Sequence, residues 1–124
     1  MNDPFDLQRF VDAQQDVYEQ ALQELRAGRK RTHWMWFIFP QLSGLGRSAM
    51  AQRYAISGRN EALAYLQHAL LGPRLQACTE AMLAHAGDSA LQILGRPDDL
   101  KFHSCMTLFA CVAPDPALFD KALE

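Results

Sequence analysis

The chain has 124 residues, 14.0 kDa and 49% hydrophobic side chains, enough for one domain that buries roughly two thirds of the surface its unfolded chain exposes. Twelve basic residues stand against fourteen acidic ones, so a formal net charge of -2 excludes a broad electrostatic drive toward nucleic acid or an anionic membrane, and neither is expected as a partner. Met1-Asn2-Asp3-Pro4 has no cationic flank leading into an apolar run, no segment approaches the ~18 apolar residues of a membrane span, and Cys78, Cys105 and Cys111 suit reduced thiols, so a cytoplasmic location is expected.

From Leu7 the apolar residues recur three and four apart through Phe10, Val11, Val17, Tyr18, Ala21, Leu22 and Leu25. That spacing predicts an amphipathic helix whose other face is acids, Gln and Arg, with a break near Gln14 to Asp16. Asp3 can cap its start and Gly28 can end it, because glycine tolerates the left-handed conformation of a helix stop. Gly28-Arg29-Lys30-Arg31 then reads as a solvated basic corner whose cations offset the helix macrodipole, or as a phosphate-binding turn.

Next comes the most unusual stretch, His33-Trp34-Met35-Trp36-Phe37-Ile38-Phe39-Pro40-Gln41, which holds both tryptophans. It shows no alternation and finds no second strand in the chain, so one or two helical turns ending at Pro40 are predicted. Gly44 and Gly46 predict a tight loop, and Ser48 a cap for the helix carrying Met50, Ala51 and Tyr54. Further helices follow with Ala62, Leu63, Tyr65 and Leu66, then with Leu75, Cys78, Thr79, Met82 and Leu83 after Gly72-Pro73. Asp88 or Ser89 caps a short helix closed by Gly95. Pro97 opens a helix to about Val112 that is apolar nearly all round and is predicted to be the buried centre, and a last helix runs from Pro116 to Glu124. The sum is an all-α bundle of about seven or eight short helices in a single domain, residues 1–124.

On the central helix Lys101, Ser104, Thr107 and Cys111 fall three or four apart, and a polar stripe there either bonds back to carbonyls one turn earlier or floors a pocket. The pocket reading joins it to His33, Trp34, Trp36 and Gln41 and to Arg47 and Ser48 of the glycine loop. Trp34 and Trp36 are two apart, so they cannot share one face of a helix. One is expected to fill the core and the other to line a groove. Histidines 33, 68, 85 and 103 lack helical metal-ligand spacing and the cysteines are not paired as zinc ligands, so no metal and no cofactor are expected. No catalytic residue is assigned. Lys30, Arg31, Arg47 and Lys101 would supply charge for a small anionic or nucleotide-like ligand, and the alternative is an exposed aromatic patch serving as an interaction or homodimer surface.

His33 to Gln41, followed by Leu45-Gly46 and Ser48, then Tyr54-Ala55-Ile56, Glu61-Ala62, Tyr65-Leu66, Arg74-Leu75, Asp98-Asp99-Leu100-Lys101 and Ser104 to Phe109, resembles the bacterial family catalogued as domain of unknown function 1810. The resemblance covers nearly the whole chain and implies a mainly helical fold with buried central helices. It implies no activity. Some members carry the label calpastatin, a name for a disordered inhibitor that does not suit a folded helical domain. The family pattern continues past the last helix with a glycine and acidic segment, which this sequence does not reach.

Overall fold

The computed structural model describes residues 3–85 and 87–123; Met1, Asn2, Ala86 and Glu124, the last the expected end of the final helix, lie outside them. Among the described residues there are nine helices and no strand. They are α1 (Gln8–Gln14), α2 (Tyr18–Ala27), α3 (Met35–Ile38), α4 (Ala49–Arg53), α5 (Arg59–Gln67), α6 (Leu71–Leu83), α7 (Ala90–Leu94), α8 (Asp98–Val112) and α9 (Ala117–Leu123). The extra helices relative to the seven or eight expected come from division at short breaks rather than from new segments.

Local chemistry explains most boundaries. The Asp3 carboxylate accepts from the N–H of Leu7 at 2.8 Å and of Gln8 at 3.0 Å, which satisfies two donors at the start of the first helix. The helix breaks where Gln14 turns inward: its amide donates to the Phe37 carbonyl at 2.7 Å and to the Tyr65 hydroxyl at 3.2 Å, and accepts from Arg74 at 3.3 Å. A buried amide is tolerated here because it is bonded on both sides. Gly28 ends α2 at φ 78°, and a Cβ there would sit 3.1 Å from the His85 ring, so conformation and space both favour glycine. Ser89 and Gln92 cap α7 reciprocally.

Helix α8 is the centre, flanked by α5, α7 and α9. It buries Phe102, Cys105, Met106 and Phe109, each large side chain contributing about 1.5–3 kcal/mol by removal from water. Edge-to-face rings extend this core outward, with Phe39 at 4.9 Å from Phe102 and Phe10 at 5.1 Å from Tyr65. The helix is not buried all round, however. Leu100, His103, Thr107 and Cys111 run three or four apart along an exposed stripe, which shares Thr107 and Cys111 with the polar stripe that the spacing predicts.

The basic corner also differs from the solvated turn expected. The Lys30 N–H donates to the Ile93 carbonyl at 2.7 Å, its ammonium lies 3.0 Å from Asp98, and it stands 5.4 Å from the centre of the Trp34 ring. One of the three cations is therefore turned in to tie α2, α7 and α8 together, whereas Arg29 and Arg31 are exposed.

Candidate functional site

The site begins with a buried carboxylate. Glu24 on α2 is 4% exposed and accepts from the N–H groups of Arg31 and Thr32, the Thr32 hydroxyl, the Gln20 amide and the Trp34 indole N–H, at 2.6 to 3.0 Å. Burial pushes its carboxyl up, but these donors outweigh burial and hold it down at about 2. The segment entering α3 is thereby pinned to α2, with Trp34 fully enclosed. Trp34 itself stands just before α3 with a non-helical φ of -148°, and Trp36 is the second residue of the helix. Trp36 leaves the core and lines a cleft.

That cleft holds about 430 Å³, within the range of small-molecule sites. Met35, Trp36 and Phe39 form one wall, the loop from Gln41 to Ser48 a second, and Pro97, Leu100, Lys101 and Ser104 at the start of α8 a third, with Ala51 and Tyr54 behind. The loop is set by a parallel bridge between Leu42 and Ile56, in which the Ile56 N–H donates to the Gln41 carbonyl and the Ser43 N–H to the Ile56 carbonyl, both at 2.8 Å. It packs tightly on α4, since a Cβ on Gly46 would stand 2.5 Å from that of Ala51. Arg9 holds the segment behind, donating to the Arg53 and Ala55 carbonyls and to Glu61, each at 2.8 Å.

Among the described residues lining this cleft none is acidic, and Arg47 and Lys101 are cationic. The Lys101 ammonium lies 3.8 Å from Asp98, which is itself 3.0 Å from Lys30, so Asp98 stands between two cations. The Arg47 guanidinium, the Gln41 amide, the Ser104 hydroxyl and the Trp36 indole N–H have no hydrogen-bond partner among the described residues, and all four residues line the cleft. Ser48 accepts from the Ala51 N–H at 3.1 Å as the cap of α4, which leaves its hydroxyl proton to donate.

Of the nine residues expected at a site, Trp36, Gln41, Arg47, Ser48, Lys101 and Ser104 therefore meet in one cleft. The other three do not. Trp34 is in the core, His33 is exposed outside the cleft, and Thr107 is exposed with its hydroxyl donating to the His103 carbonyl at 3.0 Å. The lining residues that sequence reasoning missed are mainly apolar, Leu45, Tyr54, Pro97 and Leu100 among them, and nothing in an apolar residue's spacing announces a cleft wall. Glu24 carried a weak signal: it lies three residues after Ala21 and so beside the apolar stripe of α2.

Cys78 and Cys105 are poorly placed as nucleophiles, since burial pushes the Cys78 thiol up to about 12 and the Cys105 thiol well above its ordinary range, whereas Cys111 is exposed outside the cleft. Among the described residues no three His, Cys, Asp or Glu side chains gather as a metal centre would require, and no helix is long and apolar enough to cross a membrane.

Fold and cleft together define a small helical protein with a tryptophan-lined surface cavity that carries two cations. The chain belongs to the family described as "Protein of unknown function (DUF1810)", whose pattern matches residues 4–124. The crystal structure of the conserved hypothetical protein Rv1873 from Mycobacterium tuberculosis is similar at 58% sequence identity over 98% of this chain and 86% of that one, with a TM-score of 0.96. Among curated proteins none matches.

Proposed function

We propose that the protein binds a small anionic ligand with a planar or apolar body, nucleotide-like in combining the two, in the cleft beside Trp36. The observation that carries this reading is the lining itself: among its described residues two cations and no acid, in a chain whose net charge is -2. Arg47 and Lys101 supply charge-assisted hydrogen bonds, Gln41, Ser48 and Ser104 supply orienting polar groups, and Trp36 with Leu45 and Leu100 covers the ligand body. Phosphate and carboxylate share this chemistry, so the class of anion is what a screen must separate. The unpaired thiols support a reducing, cytoplasmic setting.

A thermal-shift screen against mononucleotides, sugar phosphates and amino acids, with neutral analogues alongside, tests the proposal. A ligand that binds only the folded form at about 100 times its dissociation constant adds about 2.7 kcal/mol, a rise of several degrees in Tm. Anions are expected to give that rise and their neutral analogues not, with Lys101→Ala and Trp36→Ala each reducing it. A broad set of anions with no effect would count against the reading.

A second reading rests on the rim, where Leu42, Leu45 and Leu100 are 40%, 58% and 55% exposed. Three exposed leucines around one cleft also suit a protein partner or a second copy of the chain. Light scattering separates the readings: a mass of about twice 14.0 kDa that falls when Leu45 is replaced by Lys favours the homodimer, and a monomer favours the ligand site.

A further inference from the structure

A second cleft, of about 520 Å³, lies between α6, α7, α8 and α9, and Leu100 lines both clefts as the ridge between them. Consecutive residues on a helix point about 100° apart, and the first turn of α8 uses this to send its two aspartates in different directions. Asp98 faces Lys30 and Lys101, whereas Asp99 lines the second cleft.

The chemistry of this cleft is the reverse of the first. Asp88 and Asp99 are its acids, Asp99 being paired from outside the lining by the exposed Arg96, and among the described lining residues the only lysine or arginine is Lys121, which is exposed. His85 closes one side of it: its Nε2 donates to the Leu25 carbonyl at 2.9 Å, and its Nδ1 lies 4.0 Å from Asp88. The remaining wall is largely apolar, with Leu83, Leu91, Ile93 and Phe102.

Asp99 is the decisive residue. Its side chain is 11% exposed, Oδ2 lies 3.3 Å from Arg96, and Oδ1 is the one buried side-chain polar atom without a hydrogen-bond partner among the described residues. A buried carboxylate oxygen without a donor is costly, and native structures seldom keep one without a reason.

We propose that the second cleft binds a primary ammonium or guanidinium group carried on an apolar stem, the cation answering Asp99 and the stem lying against Leu83, Leu91 and Phe102. Because Oδ1 is enclosed, binding includes a turn of the carboxylate about Cβ–Cγ toward the ligand. The proposal is independent of the anion site, since it uses other residues and the opposite charge.

Titration of the whole protein with n-hexylammonium and agmatine, followed by amide chemical shifts around α7 and α8, tests it, with 1-hexanol and hexanoate as matched controls. Saturable shifts of Leu91, Ile93 and Phe102 are expected with the amines, and binding weaker by about tenfold or more with the alcohol and the carboxylate. Asp99→Asn keeps the shape and removes the charge, and is expected to weaken amine binding by a similar factor. Leu91→Trp, at an exposed rim position, is expected to block the cleft without touching the core, so it decides the matter should Asp99→Asn fail to fold. Arg47→Ala, in the first cleft, is expected to leave amine binding unchanged. No saturable shift with either amine, equal binding of hexanol, or wild-type amine affinity in the Asp99 or Leu91 variant overturns the proposal.

Discussion

The indole N–H of Trp34 donates to Glu24 at 3.0 Å inside the core, and that bond fixes the direction of a segment whose other tryptophan faces a cleft. A carboxylate with five donors from Gln20, Arg31, Thr32 and Trp34 is a rigid anchor, and the buried Trp34 indole N–H would be stranded without it.

Removing the anchor is therefore expected to be severe. Glu24→Ala strands the buried Trp34 indole N–H and releases the part-buried Arg31 and Thr32 amides, and a loss of about 3–5 kcal/mol is expected by urea denaturation. Glu24→Gln keeps one acceptor oxygen and is expected to lose less, about 2 kcal/mol. A loss below about 0.5 kcal/mol in the alanine variant would show that water replaces the carboxylate without penalty.

The same residue sets an acid dependence. Its folded-state carboxyl lies at about 2 against an ordinary value of 4.5, so the folded form holds the charged state more tightly than the unfolded one. The resulting stability is fully present above about pH 4.5 and is lost as the pH falls toward 2, about 3 kcal/mol over the window. Asp3, held low chiefly by the Leu7 and Gln8 N–H groups, acts in the same direction at the surface. Denaturation midpoints between pH 6 and pH 2.5 are expected to fall more steeply in the wild type than in Glu24→Gln. Parallel slopes would assign the acid sensitivity to other carboxylates.

The two tryptophans are expected to separate stability from binding. Trp34→Ala empties a fully enclosed site and orphans part of Glu24, with an expected cost of about 3–5 kcal/mol. Trp36 is half-buried, and its replacement by alanine is expected to cost under about 2 kcal/mol while removing the cover of the cleft. Equal destabilisation by the two variants would contradict this division.

The spacing of the tryptophans made their divergence legible in the sequence, because residues two apart on a helix do not share a face, although Trp34 stands just before α3 rather than within it. Which one turns inward was not legible, since it depends on Glu24 reaching across from another helix, and that carboxylate looks in its own helix like part of a polar face. Gln14 was hidden in the same way. The all-helical architecture, the caps at Asp3, Ser48 and Ser89 and the stop at Gly28 could be read because each is a local event within a few residues. The polar stripe of α8 was read as one feature, but the structure divides it, Lys101 and Ser104 at the cleft and Thr107 and Cys111 in solvent, because the groove is only as long as α3 and the Gln41 to Ser48 loop beside it.

The thiols give an independent check on the core. Cys78 and Cys105 are buried with their thiols pushed up, whereas Cys111 is exposed. One fast-reacting thiol per chain is expected with a disulfide reagent at pH 8, lost in Cys111→Ser, and the other two are expected to react only on unfolding. Two or three fast thiols in the native protein would mean that α6 and α8 open readily.

The central claim, that an anion binds beside Trp36, is tested most directly by the two indole N–H resonances in a nitrogen-15 correlation spectrum, assigned with Trp36→Phe. On titration with mononucleotides and aromatic carboxylates, the Trp36 signal is expected to move saturably for at least one anion and not for its neutral analogue, while the Trp34 signal, bonded to Glu24, stays in place. A Trp36 signal that stays fixed across the whole panel, or that moves equally for charged and neutral members, would contradict the account.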